Sequence, residues 1–331
     1  MRKICIFTST RADWGLLRGV AEEIRGHEDL ELQLLVSGSH LSAKFGMTVS
    51  EIEDAGFDIS ARVDVLQFDD SAQGVCATMG LAMSSYGEAL TRMAPDILVV
   101  LGDRYESLCV ATVAQILRIP VAHIHGGETT EGAVDEAFRH AITKMSQVHF
   151  PACEEYRQRI IQLGENPDRV FNVGALGVEN IRKISMMRRD ELSHSIGFPL
   201  DCPFFLVTFH PVTLENATAD SQLDELFAGL EQFPEHRVLF TKANADTDGQ
   251  VINDKLDAYV ALNTDRCLVV TSLGLQRYLS AMKLCAAVVG NSSSGILEAP
   301  SFHVPTVNIG DRQKGRVRAQ SVLDCEPDRL S

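Results

Sequence analysis

Positive charge is scarce in this chain. Its 331 residues carry 30 Lys and Arg against 45 Asp and Glu, a formal net charge of −15. That balance argues against a general nucleic-acid or membrane-surface binder. It leaves room for one small anionic ligand, because a few local arginines and helix N-termini can hold phosphate inside an acidic protein. Long apolar runs are also missing. No window approaches eighteen uninterrupted apolar residues, and the run after Met1 is too short for a signal peptide, so no membrane span is expected. None of the eight cysteines lies in a Cys-x-x-Cys pair, which argues against a zinc ribbon or disulfide scaffold and for a reduced, cytoplasmic protein. The first strand is not followed by Gly-x-Gly-x-x-Gly, so the dinucleotide fingerprint is absent. There is no short-period repeat and no low-complexity tract.

What the chain has is a steady alternation of short apolar runs and amphipathic helical segments. Its 45% apolar and 23% charged content is that of a soluble globular protein, and its length holds two ordinary domains. In the first half, strands are expected at 3–8, 31–36, 96–101, 119–125 and 148–150. Helices are expected at 15–26, 73–93, up to 117, from 134 to about 145, and at 154–163, and the apolar run 170–173 closes the set of strands. The rhythm restarts with strands at 204–209, 237–241, 267–271, 286–289 and 306–309. Helices at 221–230, 250–263 and 275–284 and a helix start at 294–299 separate them, and a polar helix around 188–195 is expected to bridge the halves. The pattern predicts an α/β fold of two Rossmann-like domains, 1–172 and 173–331, with a ligand cleft between them.

Ligands of open α/β sheets gather at the carboxyl ends of strands, so the polar residues following each apolar run are the candidates. The stretch 96–144 is the densest. It carries Asp103 in Gly102-Asp103-Arg104-Tyr105-Glu106, His125 in His123-Ile124-His125-Gly126-Gly127-Glu128, and the helical residues Asp135, Glu136 and Arg139. Asp135 and Arg139, like Glu136 and His140, are four apart and share a helix face. The bland alternative is a set of surface i,i+4 contacts. Arg11, in Thr8-Ser9-Thr10-Arg11-Ala12-Asp13, opens a helix after the first strand and suits an anion, or is a surface arginine beside a capping loop. In the second half Asn291, Ser292 and Ser293 form a hydroxyl-rich turn before a helix that carries Glu298, a setting for phosphate and a ribose diol or for an ordinary N-cap. His210 ends the 204–209 strand, where it can donate to a phosphate or move a proton as a catalytic group, or be structural. Arg312 lies in the basic run 311–318, an anomaly in so acidic a chain or a solvated charge run.

In that order, Thr-Arg-Ala-Asp, Gly-Asp-Arg-Tyr-Glu, His-Ile-His-Gly-Gly-Glu, Asp-Glu-Ala-Phe-Arg-His, Phe-His-Pro-Val-Thr, Asn244-Ala245-Asp246, Gly-Asn-Ser-Ser-Ser-Gly and Gly-Asp-Arg-Gln-Lys-Gly-Arg span nearly the whole chain. The ordered set resembles the hydrolysing UDP-N-acetylglucosamine 2-epimerases of bacterial sialic acid biosynthesis. The resemblance implies a GT-B-like pair of domains, no cofactor and no metal, and release of UDP and N-acetylmannosamine from a UDP-sugar substrate. It implies that Arg11, His210, Ser292, Ser293 and Arg312 hold the nucleotide and diphosphate and Glu298 the ribose. Asn244 and Asn291 fall in the matching substrate-binding motifs, and Asp103, Asp135, Glu136 and Arg139 face the sugar. A homodimer or homotetramer is expected, with neither nucleic acid nor membrane as partner.

Inversion at C2 needs two ionisable groups on opposite faces of the sugar, and Asp103, His125, Asp135 and Glu136 are the candidates. The chain departs from relatives by His125 in place of Glu, by Leu16 in place of Lys, and by ending soon after the basic loop, before an expected return helix. Rival readings are the same reaction on UDP-N,N'-diacetylbacillosamine, a GT-B glycosyltransferase, and a non-catalytic nucleotide-sugar binder.

Overall fold

The computed structural model of the protein describes residues 1–67, 69, 71–131, 133–211, 219–243 and 249–330. The chain divides into two compact units, Met1–Glu128 with Val134–Glu179 and Thr129–Ala133 with Asn180–Ser331.

The first unit runs β1 (Arg2–Thr8), α1 (Arg11–Gly26), β2 (Leu30–Ser37), α2 (Val49–Asp54), β3 (Ala61–Val63), α3 (Ala72–Met93), β4 (Ile97–Leu101), α4 (Tyr105–Leu117), β5 (Val121–Ile124), α5 (Asp135–Met145), β6 (Val148–Phe150) and α6 (Glu154–Gln162). Its strands form one parallel sheet in the order β3-β2-β1-β4-β5-β6, the doubly wound Rossmann order. In the register, Ile6 lies opposite Leu34 on one side and Val99 on the other. A parallel sheet is covered on both faces, so its strands are continuous apolar runs. Here Cys5, Phe7, Leu98 and Val100 pack on one face with Tyr86, Val110 and Ala114 of α3 and α4. Ile4, Ile6, Val99 and Leu101 pack on the other with Trp14, Leu17 and Ala21 of α1. Each of the Leu, Ile, Val and Phe side chains among them contributes about 1.5–3 kcal/mol by burial. Helix α1 starts four residues before the apolar periodicity predicts. The Thr10 side chain accepts from Asp13 N–H and the Asp13 carboxylate accepts from Thr10 N–H, a capping box that makes Arg11 the first helical residue.

Helix α7 (Leu176–Lys183) carries the chain onward. The second unit then has α8 (Arg189–Ile196), β7 (Phe204–Thr208), α9 (Ala219–Glu231), β8 (Arg237–Thr241), α10 (Gly249–Leu262), β9 (Cys267–Val270), α11 (Gly274–Leu284), β10 (Ala287–Gly290), α12 (Ser293–Leu297), β11 (Thr306–Ile309) and β12 (Val322–Cys325). Its parallel sheet is ordered β12-β11-β10-β7-β8-β9, which is the same winding read from the other edge. The expected α/β class with two Rossmann-like halves is therefore what the chain forms.

Some expectations fail locally. The run 170–173 is not a strand: Val170 makes one isolated bridge to His149, and Phe171 and Val173 are exposed. Helix α8 is not a separate linker. It belongs to the second unit, with Leu192 buried against Phe198, Leu200 and Phe204, and Arg189 donating to the carbonyls of Leu200, Cys202 and Leu284. β3 and β12 were not expected. Among the described residues no helix is long and apolar enough to cross a membrane.

Candidate functional site

In each unit the two central strands hand the chain off in opposite directions, which opens a crevice at their carboxyl ends. In the first unit these strands are β1 and β4. Arg11, half-buried, stands at the start of α1 directly after β1. Asp103 stands two residues after β4, behind Gly102, whose φ of +71° makes the turn. The Ser39 hydroxyl donates to Ser9 O at 3.0 Å, and a Cβ on Gly38 would lie 2.7 Å from Ser9 O, so only glycine lets the β2 loop brace the Arg11 loop.

Asp103 is joined to the first turns of α5. Arg139, 1% exposed, directs Nη2 to Asp103 Oδ2 and Nη1 to Glu136 Oε2 at 3.1 Å. Glu136 Oε1 takes His140 Nε2 at 3.0 Å. A buried guanidinium costs several kcal/mol unless paired, and these two carboxylates pair it. His123, fully buried on β5, donates from Nε2 to Gly102 O at 2.7 Å and lies 3.2 Å through Nδ1 from Thr143 Oγ1 of α5. Burial pushes its imidazole down to about 4, so it stays neutral and serves as a brace for the Asp103 turn. Asp135, half-buried, opens α5.

His125 takes a left-handed conformation, φ +62°, unusual for a residue with a Cβ and of the sort found at functional turns. Its side chain is buried. Nδ1 lies 3.1 Å from Glu128 Oε1 and Nε2 accepts from Leu176 N–H at 3.4 Å. Both ring nitrogens thus have a neighbour inside the unit, so a proton-transfer role for His125 requires that the Leu176 contact give way.

In the second unit the central pair is β7 and β10. Asn291 is fully buried and ties their ends together. Its Oδ1 accepts from His210 N–H at 2.7 Å and its Nδ2 donates to His210 O at 2.8 Å. Arg312 Nη1 and Gln313 Nε2 donate to Asn291 O at 3.1 and 2.9 Å. Arg312 of the basic run therefore belongs to this strand end, while Arg318 pairs with Asp324 of β12. Gly290 has φ +129°, and a Cβ there would fall 2.0 Å from Thr208 O. Ser292 caps α12 and Ser293 begins it, both half-buried. The helix is shorter than expected, ending at Leu297, so its dipole is small and anion affinity would rest on the local N–H and hydroxyl donors. Glu298 caps its end. It is buried, and burial pushes its carboxyl from 4.5 up to about 7.

The structure thus gathers Asp103, Glu136 and Arg139 into one chain of ion pairs, with Arg11, His125 and Asp135 on neighbouring strand-end segments of the same unit. It gathers His210, Asn291 and Arg312 into one hydrogen-bonded cluster, followed directly by Ser292 and Ser293. Asn244 lies outside the described residues. Sequence reasoning missed Glu106 as a site-shaping group. It is fully buried in the first turn of α4, its carboxyl raised by burial against the pull of Arg104, whose Nε lies 3.2 Å away. It also missed Glu128 and the brace His123. The clue available was Glu106 standing two residues after Arg104 inside an otherwise apolar helix.

Two Rossmann-like units with polar clusters at their switch points define the class, an α/β protein of GT-B-like fold. The sequence model of the UDP-N-acetylglucosamine 2-epimerase family matches residues 22–331. A GDP/UDP-N,N'-diacetylbacillosamine 2-epimerase (hydrolyzing) of Campylobacter jejuni is 43% identical over 98% of this chain and 84% of its own. The polysialic acid biosynthesis protein P7 of Escherichia coli is 40% identical over 98% of this chain and 82% of its own. In fold, the Methanocaldococcus jannaschii UDP-GlcNAc 2-epimerase solved with UDP-GlcNAc and UDP superposes with a TM-score of 0.80 at 18% identity, covering 99% of this chain and 90% of that one. The chain belongs to the UDP-N-acetylglucosamine 2-epimerase family.

Proposed function

We propose that the protein is a hydrolysing 2-epimerase that converts UDP-N-acetylglucosamine and water to N-acetylmannosamine and UDP, feeding sialic acid biosynthesis. The observation that carries this reading is the buried Arg139 clamped between Asp103 and Glu136 at the carboxyl edge of β4. Binding alone does not need so dense an acid/base set. The chemistry runs as follows. Departure of UDP from C1 builds positive charge there and acidifies C2–H. A carboxylate, with Asp103 and Asp135 the candidates, takes that proton and leaves 2-acetamidoglucal. Water adds at C1 while an acid on the opposite face protonates C2. Arg11, Ser292, Ser293, His210 and Arg312 stabilise the leaving diphosphate, the role preorganised donors and cations play best. Glu298, near 7, can accept from or donate to a ribose hydroxyl. Asn244 and Asn291 complete the substrate-binding set, Asn291 through its neighbours, since its side chain is spent on His210. The active form is proposed to be a homodimer or homotetramer in the cytoplasm, which sedimentation of the purified protein tests.

A second reading is the same reaction on UDP-N,N'-diacetylbacillosamine, favoured by the 43% identity to the Campylobacter jejuni relative. Both sugars are incubated without acceptor and followed by NMR. A strict transferase or a binder leaves them intact. In D₂O, free N-acetylmannosamine is expected to carry one deuterium at C2. In ¹⁸O water, label is expected at C1 at early times with UDP unlabelled. Label in UDP would mean attack at phosphorus, and intact UDP-N-acetylmannosamine would mean a non-hydrolysing reaction. Either result defeats the proposal.

A further inference from the structure

We propose that His140 is a positioning residue for this reaction, acting through Glu136 on Arg139 and Asp103. The inference rests on the epimerase reading above. A carboxylate only accepts hydrogen bonds, so in the 3.0 Å contact between His140 and Glu136 Oε1 the proton sits on His140 Nε2. The other ring nitrogen, Nδ1, is buried and has no hydrogen-bond partner among the described residues. The bond to Glu136 is therefore the one that fixes the ring.

That bond occupies Oε1 and leaves Oε2 to Arg139 Nη1 at 3.1 Å. With one oxygen committed, Glu136 cannot turn both oxygens to the guanidinium, although bidentate pairing is what an arginine fork favours. Arg139 thus keeps its second arm for Asp103. Remove the His140 donor and Glu136 Oε1 loses the bond that turns it from the guanidinium, and the carboxylate is expected to draw Arg139 toward itself. Asp103 then loses its alignment at the end of β4. The spacing supports this reading. Glu136 and His140 are one helical turn apart, and the His140 side chain is 27% exposed while Arg139 is 1%. A change at His140 therefore alters the pairing pattern without opening the core.

The test uses two variants of the full chain. His140→Phe keeps an aromatic ring and removes the donor. His140→Gln keeps an N–H donor on a flexible stem. For His140→Phe kcat is expected to fall about tenfold, the worth of one hydrogen bond to a charged group, with KM and UDP affinity kept within about twofold. His140→Gln is expected to recover most of the loss. Wild-type kcat in His140→Phe would overturn the inference. So would equal loss in both variants, because that pattern reports packing and not donation. The ¹⁵N spectrum of the wild-type imidazole needs no turnover. It is expected to show a protonated Nε2, and a bare Nε2 would overturn the inference even where the epimerase reading holds. The expected spectrum in a wild-type protein that turns over no UDP-sugar would count against the epimerase reading alone.

Discussion

Replacing Asn291 by Ala isolates what holds the second crevice together. The backbone of Asn291 would keep its contacts, since its N–H donates to Thr208 O at 3.1 Å and its O accepts from Arg312 and Gln313. Only the two side-chain bonds to His210 would go, and they leave one buried N–H and one buried C=O without their partner. An orphaned buried polar group costs about 1–3 kcal/mol. Two of them give about 2–6 kcal/mol, and entry of water into the space of the lost amide favours the lower half, about 3 kcal/mol. For a domain of this size each kcal/mol moves Tm by about 2–4 °C, so the transition of the second unit is expected about 6–12 °C lower by calorimetry. Asn291→Asp should cost more, because it sets a carboxylate oxygen against His210 O in place of a donor. An Asn291→Ala protein melting within about 2 °C of wild type would refute the reasoning, since it would mean that the clasp is not formed.

Glu298 gives a pH test. Its folded carboxyl lies near 7 and its unfolded one near 4.5, so between these values the folded state holds a proton that the unfolded state releases. Stability from this group is whole below 4.5, falls as pH rises to about 7, and is reduced by about 3 kcal/mol above it. Glu298→Gln should therefore raise Tm at pH 8 far more than at pH 5, and an equal change at both would exclude the perturbed acid. Asp103→Asn keeps an acceptor for Arg139 and removes the base; kcat is expected to fall about 10²-fold or more with UDP affinity nearly kept, as calorimetry and product assay would read. Arg11→Ala should weaken UDP binding about tenfold or more, and unchanged affinity in both this variant and Glu298→Ala would remove the first crevice and Glu298 from nucleotide binding.

The strands were legible because a parallel strand buried on both faces has to be an apolar run. β1 and β7 are such runs, with Cys5 to Thr8 and all of Phe204–Thr208 buried. The same rule misread 170–173, an apolar run with no partner strand beyond one bridge, where Phe171 stacks on Phe150 at a ring distance of 6.0 Å and stays half in solvent. It missed β3 and β12, edge strands of three and four residues. In β12 only Val322 is buried, so nothing in its composition separates it from a loop. Its pairing with β11 does, and pairing is not written in local sequence. Candidate residues could be placed where they follow strands directly, as Asp103, His210 and Asn291 do. Their partners were not. Asp103 and Arg139 are 36 residues apart, and Glu106 reads as a surface charge until its burial against Arg104 is seen.

The two units share one winding but carry different chemistry at the same place. After β1 and β4, the crevice of the first unit is set with charge: Arg11, Asp103 and, through α5, Arg139 and Glu136. After β7 and β10, the crevice of the second is set with neutral hydrogen-bonding groups and one arginine: His210, Asn291, Ser292, Ser293 and Arg312. Carboxylates beside a diphosphate would repel it, so in the proposed reaction the second set, with Arg11, is the one suited to the nucleotide and the carboxylates of the first to proton transfer. Glu298 looks like the exception, a carboxylate one short helix away from the serines. Burial removes the conflict. With its carboxyl near 7 the group spends much of its time protonated at neutral pH, and a protonated carboxyl can donate to a hydroxyl without adding a full negative charge beside a phosphate. The same desolvation that costs stability above pH 7 is thus what makes an acid tolerable in the proposed anion site.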